Sequence, residues 1–156
     1  MTQEDKEILL KDLCSRLPYG LKGQVQIQCS DGTYDVNSGH LEYTNVDVDV
    51  ELFGIQEQEI TVYPIDSKYN DVISDYSYTY DEFMPYLRPL TSMTEEEKEE
   101  FESLGWRIDE LDNNTPWNHN SYNIWPGIDW LNAHHFDYRG LIEKGLAIKA
   151  PEGMYE

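Results

Sequence analysis

Residues 46–52 alternate apolar and acidic side chains without a break. The apolar and the acidic positions are Val46, Val48, Val50, Leu52 and Asp47, Asp49, Glu51. Because successive side chains of a β-strand point to opposite faces, the pattern predicts a strand with a buried apolar face and an exposed acidic face. A shift of one residue would exchange the faces, so the pattern also predicts which side chains reach the core.

The segments around this run predict further strands and an N-terminal helix. Residues 21–29 alternate valine and isoleucine with glutamines and predict a strand that ends in a turn at residues 30–32. The run 46–52 ends at Gly54, and residues 60–63 before Pro64 predict a second strand that pairs with it in an antiparallel hairpin. Thr2 is a plausible N-cap for a helix over residues 3–16, which Pro18 and Gly20 stop.

The second half of the chain is predominantly helical in pattern. Thr94 and Glu97 predict a capping box for a helix that runs to Ser103 and stops at Gly105. A second helix starts near residues 128–129, a short helical turn covers 138–144, and residues 146–148 read as a strand. Residues 66–80, rich in Tyr and Asp, and residues 112–127, rich in Asn with two prolines, read as loops.

These elements give an α+β fold with an N-terminal helix, a small antiparallel β-sheet and a C-terminal helical region. At 156 residues the chain is expected to be one domain, 1–156. Within it, residues 1–65 hold the first helix and the sheet, residues 66–93 a Tyr- and Asp-rich loop, and residues 94–150 the helical part. Aromatic residues make up 13% of the chain, which argues for a folded protein, because disordered acidic chains contain few aromatics.

The charge of the chain restricts its partners. It has 31 acidic and 11 basic residues, a formal charge of −20, and residues 31–82 hold thirteen acids and one base. Such a field repels nucleic acid and anionic membranes and attracts basic protein surfaces. We therefore expect a basic or nucleic-acid-binding protein as the partner, with no direct contact to nucleic acid or membrane.

The same composition bears on location and cysteine chemistry. The N-terminus lacks an apolar run of signal-peptide length, and no stretch approaches about 18 apolar residues, so we expect a soluble protein of the host cytoplasm. In that compartment Cys14 and Cys29 are expected to be reduced and buried.

Three separated stretches carry a family resemblance. They are residues 11–20 (KDLCSRLPYG), 85–94 (PYLRPLTSMT) and 129–155, with WLNAHHFDYRGLI at 130–142. The chain resembles a group of small proteins of Bacteroides-type gut bacteria and of their phages and mobile elements. That group carries no assigned activity. The resemblance implies an accessory gene of a phage or mobile element, and more often an interaction protein than a metabolic enzyme.

Catalytic and metal-binding patterns are weak. His134 and His135 with Asp137 form the one dense cluster of metal-ligand types, but adjacent helical side chains diverge by about 100°, so both histidines cannot face one ion. His119 is a third donor only if the fold brings it near. Asp137 and Arg139 are expected to form a structural ion pair. No nucleophile elbow or phosphate loop is present, so we expect no enzyme activity, no catalytic residues, no cofactor and no metal.

The candidate binding residues fall into an acidic and an aromatic group. The acidic group can be extended by Asp35 and Glu42, and the residues that we assign to partner binding are Asp47, Asp49, Glu51, Glu57, Glu59, Trp117, Tyr122 and Trp125. Alternate carboxylates on a strand stand about 6.8 Å apart, so the acidic residues can compete with phosphates for Lys and Arg. Acidic surfaces also maintain solubility, and dense aromatics also build a core.

The function predicted from these patterns is a non-enzymatic interaction protein of a phage or mobile element that binds a basic protein surface. One form of it is a nucleic-acid mimic that inhibits a host defence or transcription protein. The alternative is a structural or assembly component of a virion or mobile element, in which the aromatic residues make assembly contacts. We expect a monomer or dimer, since −20 per chain opposes self-association.

Overall fold

The structure, a computed structural model, has an α+β fold with an N-terminal helix, as predicted. It describes residues 1–35, 40–57, 59–73, 78–109, 115–118 and 123–155; the side chains of residues 31–35 and 40–42 lie outside this description. The chain divides into two compact units, a central unit of residues 22–84 and a terminal unit of residues 1–21 and 85–156. The expectation of a single domain stays a prediction, because compact units also occur within one domain.

The central unit contains an antiparallel sheet with strand order β4-β3-β2-β1. Its strands are β1 (Lys22–Asp35), β2 (His40–Gln56), β3 (Glu59–Pro64) and β4 (Tyr78–Thr79). The pairing of β2 with β3 confirms the predicted hairpin. Between β3 and β4 lie a 3₁₀ turn (Ser67–Tyr69) and a short helix, α2 (Asn70–Ile73), so this part of residues 66–80 is not a structureless loop.

Two predicted ends of strands in this unit are wrong. β1 continues through the expected turn at residues 30–32, with a register shift between Ser30 and Tyr34. β2 continues past Gly54 to Gln56, with a second register shift between Leu52 and Gly54. Extra residues in one strand of an antiparallel pair can be absorbed as bulges, and glycine inside a strand often marks one. The turn-forming residues therefore interrupt the pairing without ending the strands.

The apolar face of the sheet is buried as the alternation predicts. Val48, Val50 and Leu52 are at most 2% exposed, whereas Val46 is half-buried. The buried members of the central unit are Val25, Ile27, Val48, Val50, Leu52, Ile60, Val62, Ile73, Tyr78 and Phe83. Gly23 is part of this packing, since a Cβ built on it would lie 2.5 Å from the ring of Phe83.

In its described residues, the terminal unit combines three α-helices with short strands. Its helices are α1 (Gln3–Arg16), α3 (Glu95–Ser103) and α4 (Trp125–Ala133). Its strands are β5 (Met84–Leu87, beginning at the unit boundary), β6 (Trp106–Asp109), β7 (Thr115–Asn118) and β8 (Ile148–Lys149). β5 and β8 pair in parallel, and β6 and β7 form an antiparallel pair. Thr2 caps α1 and the capping box of Thr94 and Glu97 begins α3, as predicted; Asp5 completes a capping box at α1 as well. Gly105 follows α3 with φ +83°.

The core of the terminal unit is aromatic. Met93, Phe101, Trp106, Leu131 and Phe136 form one buried cluster. The rings of Phe101 and Trp106 stack with centroids 5.6 Å apart. Gly127 lets α4 approach this cluster, because a Cβ there would come within 2.1 Å of the Trp106 indole nitrogen.

Three further predictions need correction, two for the terminal unit and one for the cysteines, one of which lies in each unit. Residues 112–127 do not form one loop: β7 pairs with β6, and α4 begins at Trp125 because Pro126 occupies its first turn, where proline costs no hydrogen bond. Residues 141–145 form turns without a helix. Cys14 is an exposed free thiol and Cys29 is half-buried, so the expected burial of both is wrong. Cys14 lies away from the buried stripe of α1, which carries Leu9 and Leu13.

Candidate functional site

The three acids of β2 stand on the exposed face of the central sheet. Asp47, Asp49 and Glu51 are all exposed, as the alternation predicts, whereas Val48 and Val50 between them are buried. We call these three residues the acidic row. From the rise of an antiparallel strand, successive carboxylate-bearing positions are about 6.8 Å apart. The row is thus a regular series of negative charges in contact with solvent.

Glutamines on β1 hold two of these carboxylates. Gln24 lies opposite Asp49, and its Nε2 donates a hydrogen bond of 3.1 Å to Asp49 Oδ1. Gln26 lies opposite Asp47 and donates a similar bond of 3.2 Å. A neutral amide restrains a carboxylate without cancelling its charge. The antiparallel register of the two alternating segments therefore orders the row at these two positions.

The third position of the row differs, because a base lies across from it. Lys22 is the cross-strand neighbour of Glu51. In the described side chains of the central unit, Lys22 and Lys68 are the bases, and Lys68 pairs with Asp66 at 2.9 Å. The whole unit holds thirteen acids and two bases, so these cations do not balance it.

An apolar group adjoins the acidic row on the same face. Phe53, Tyr63 and Ile65 are 66%, 55% and 51% exposed. The Phe53 and Tyr63 rings meet edge to face with centroids 5.0 Å apart, and Tyr63 lies opposite Glu51. The backbone N–H of Ile65 donates to the carbonyl of Asp49 at 2.9 Å, which places Ile65 beside the row. We call the acidic row together with Phe53, Tyr63 and Ile65 the mixed face.

Sequence reasoning missed the apolar part of the mixed face, although the signal was present. Phe53 follows the same alternation that exposes Asp47, Asp49 and Glu51. In β3, Ile60 and Val62 are buried, so the alternation places Tyr63 outward. The predicted strand covered residues 46–52 and ended at Gly54, so Phe53 was not assigned to its exposed face. The alternation itself indicated these side chains.

The remaining predicted acids are exposed at one end of the hairpin. Glu57 lies just after β2 with φ +56°, and Glu59 begins β3. Both side chains are exposed. The side chains of Asp35 and Glu42, proposed as extensions of the row, lie outside the described side chains.

The predicted aromatic residues belong to the terminal unit. Trp117 on β7 is 57% exposed and Trp125, the first residue of α4, is 68% exposed. Tyr122 lies outside the described residues. Trp130, by contrast, packs against Phe101 with ring centroids 5.2 Å apart. The tryptophans of this region are therefore divided between the surface, where Trp117 and Trp125 lie, and the packed aromatic residues around Phe101, which include Trp130.

The two adjacent histidines have separate structural contacts. His134 stacks on Trp130 at 4.0 Å, and its Nδ1 lies 2.9 Å from the Trp130 carbonyl oxygen. His135 is buried against the ring of Tyr155 at 3.9 Å, and its Nε2 lies 3.1 Å from the carbonyl oxygen of Tyr19. Among the described residues, no three His, Cys, Asp or Glu side chains are placed to hold a metal ion. His119 falls outside them.

The predicted ion pair between Asp137 and Arg139 is wrong. Asp137 accepts hydrogen bonds from the backbone N–H groups of Leu141 and Ile142, both at 2.8 Å. Arg139 Nε instead donates to Asp12 at 3.1 Å. Residues two apart in an irregular segment point in different directions, and each side chain here finds a partner distant from the other.

A buried ionic cluster forms around Asp12 on α1. Asp12 and Arg16 are both fully buried, and the guanidinium donates to both carboxylate oxygens at 2.7 and 3.0 Å. Arg16 also donates to the carbonyl of Phe136 at 2.8 Å. These contacts tie α1 to the C-terminal part of its unit. Their burial indicates a structural role.

No helix in the described ranges combines the length and the apolar composition needed to cross a bilayer. Comparison of the chain with protein-family models, with curated proteins and with solved structures finds no match.

Proposed function

We propose that this protein is a non-enzymatic acidic interaction protein of a phage or mobile element, and that it binds a basic protein surface through the acidic row. The observation that carries the proposal is the exposure of Asp47, Asp49 and Glu51 on one face of β2, two of them oriented by neutral amides. Ordered carboxylates lose less conformational freedom when a Lys or Arg binds them, which favours association.

A nucleic-acid mimic is one form of this function. The spacing of about 6.8 Å along the row is twice the axial rise of about 3.4 Å per phosphate of one DNA strand. A partner groove lined by Lys and Arg would meet carboxylates in place of phosphates. The partner in this form is a nucleic-acid-binding protein of host defence or transcription.

Capture from a host lysate tests the proposal with a charge-matched control. In one variant the acidic row is changed to serine (D47S/D49S/E51S). In the control, three exposed acids of the terminal unit are changed (E99S/E143S/E152S), so that both variants lose the same charge. We expect the wild type and the control to retain basic proteins at low salt, and the row variant to lose them.

The outcome is measured by quantifying captured proteins at several salt concentrations. Binding by the row should weaken as salt rises, because exposed charges are screened. Full capture by the row variant would remove the row from the mechanism. Equal loss by both variants would show that net charge alone attracts the partners.

An assembly component is the second candidate, favoured by the exposure of Trp117 and Trp125. Exposed tryptophans are frequent anchors of protein contacts. Light scattering after size-exclusion chromatography separates the two functions. A closed oligomer or filament that W117S/W125S disperses supports assembly, whereas a monomer or dimer supports the interaction protein.

A further inference from the structure

Phe53, Tyr63 and Ile65 expose apolar surface beside the acidic row. A side chain of this size is usually buried, and an exposed group of them beside charges is typical of binding surfaces. The edge-to-face contact of Phe53 with Tyr63 still leaves 66% and 55% of these residues accessible. The two rings are therefore available to a partner.

The apolar group runs alongside the acids. Tyr63 on β3 is the cross-strand neighbour of Glu51 on β2, and Ile65 is bonded to the backbone of Asp49. Neighbouring strands lie about 4.8 Å apart, so an acid and an apolar side chain stand next to each other at two successive positions. One ligand side chain can touch both.

The chemistry of this pairing matches arginine. A guanidinium is planar, stacks on aromatic faces and donates two parallel hydrogen bonds to a carboxylate, whereas an ammonium is a compact, strongly hydrated charge. A side chain whose stem and guanidinium lie over Tyr63 and Phe53 has its donors near Glu51. The negative charge of the face complements the cation.

We propose that the mixed face binds an arginine-bearing segment of a partner protein in preference to a lysine-bearing one, with guanidinium groups stacked on Phe53 and Tyr63 and bonded to the acidic row. The inference rests on the proposed function and gives its partner a chemical class. A charge-only mimic would not distinguish the two cations. The aromatic pair supplies the distinction.

Fluorescein-labelled hexaarginine and hexalysine, titrated against the full chain at equal salt and followed by fluorescence anisotropy, test this proposal. Cation–π contacts at exposed sites predict tighter binding of hexaarginine by about two- to fivefold. F53S/Y63S should lower hexaarginine affinity to the level of hexalysine and leave hexalysine unchanged. The row variant D47S/D49S/E51S should weaken both peptides.

The outcomes separate this inference from the proposed function. Equal affinity for the two peptides in the wild type, with both lost in the row variant, overturns the arginine preference and leaves the acidic row as the binding site. Equal weakening by the row variant and by E99S/E143S/E152S overturns both. Light scattering tests whether a second copy of the chain occupies the mixed face. A wild-type dimer that F53S/Y63S converts to monomer would assign the face to a second copy and overturn the inference.

Discussion

Replacing Asp12 by Asn removes the negative charge from the centre of the buried ionic cluster while keeping the size of the side chain. Arg16 then keeps its charge at 0% exposure without the carboxylate that receives its two bonds of 2.7 and 3.0 Å. Arg139, whose Nε bonds the same carboxylate at 3.1 Å, also loses its counter-charge. A guanidinium left without its counterion in the interior is strongly destabilising.

The expected loss of unfolding free energy follows from the burial of the Asp12–Arg16 pair. Breaking a buried pair by removing one partner costs about 3–5 kcal/mol, which is a large part of a total stability of about 5–15 kcal/mol. With a urea m-value of about 2 kcal/mol/M, a loss of about 4 kcal/mol lowers the unfolding midpoint by about 2 M. Tryptophan fluorescence reports this transition, because all four tryptophans belong to the terminal unit, as Asp12 does.

Asp66 provides the matched control. Its pair with Lys68 has nearly the same length, 2.9 Å, but the two side chains are 52% and 62% exposed. Asp66 also accepts a bond from the Lys68 backbone N–H, which Asn can replace. Because Asp66 lies in the central unit, both variants are also followed by far-UV circular dichroism, and we expect D66N to leave the midpoint unchanged within error. A D12N midpoint no lower than that of D66N would refute the assignment of a stabilising role to the buried cluster.

Two further predictions concern the strands and the N-terminus of α3. Gly23→Ala should destabilise the central unit by about 1–3 kcal/mol in far-UV circular dichroism melts, because its Cβ would meet the fully buried Phe83 ring at 2.5 Å. Gly54→Ala should be tolerated, because its Cβ has no neighbour closer than 3.8 Å. Equal losses of stability in the two variants would contradict the packing argument. Burial alone would raise the pKa of Glu97, but hydrogen bonds, foremost the two from Arg88 at 2.6 and 2.9 Å, lower it overall. The stabilisation from ionised Glu97 is therefore complete above the unfolded pKa of about 4.3 and is lost as pH falls through the lower folded pKa. The difference in unfolding free energy between wild type and Glu97→Gln, measured in urea, should shrink below about pH 4. A difference that does not change with pH would contradict this prediction.

Local patterns predicted the elements that local interactions determine. The capping boxes of α1 and α3 satisfy backbone donors within a few residues, so Thr2 and Thr94 were sufficient to place both helix starts. The alternation in β2 likewise predicted the buried valines and the exposed acidic row. These parts of the fold and of the candidate site follow from neighbouring residues alone.

Elements and contacts that depend on partners outside their own segment were not predictable in this way. β7 contains Pro116 and is polar, and it forms because β6 supplies its hydrogen-bond partners. Proline is tolerated in such a strand where its missing N–H faces away from the ladder. The partner of Arg139 is Asp12, 127 residues away in sequence, so no local spacing indicates it. The alternation indicated that Phe53 and Tyr63 point outward, but the register that places Tyr63 beside Glu51 includes a shift between Leu52 and Gly54 that no local pattern gives.

The interrupted order of the terminal unit has a consequence during synthesis. Arg16 donates to the carbonyl of Phe136, 120 residues later. At about 5–20 residues per second, Arg16 is added to the chain about 6–24 s before Phe136. An isolated helix of 14 residues is marginally stable in water, so we expect α1 to be largely unfolded at this stage. Residues 22–84 have by then been synthesised and are able to fold. Because Gly23 packs against Phe83 and Met84, the folded central unit holds its two ends together and lowers the loop-closure entropy that the terminal unit must overcome, so we expect the central unit to fold first.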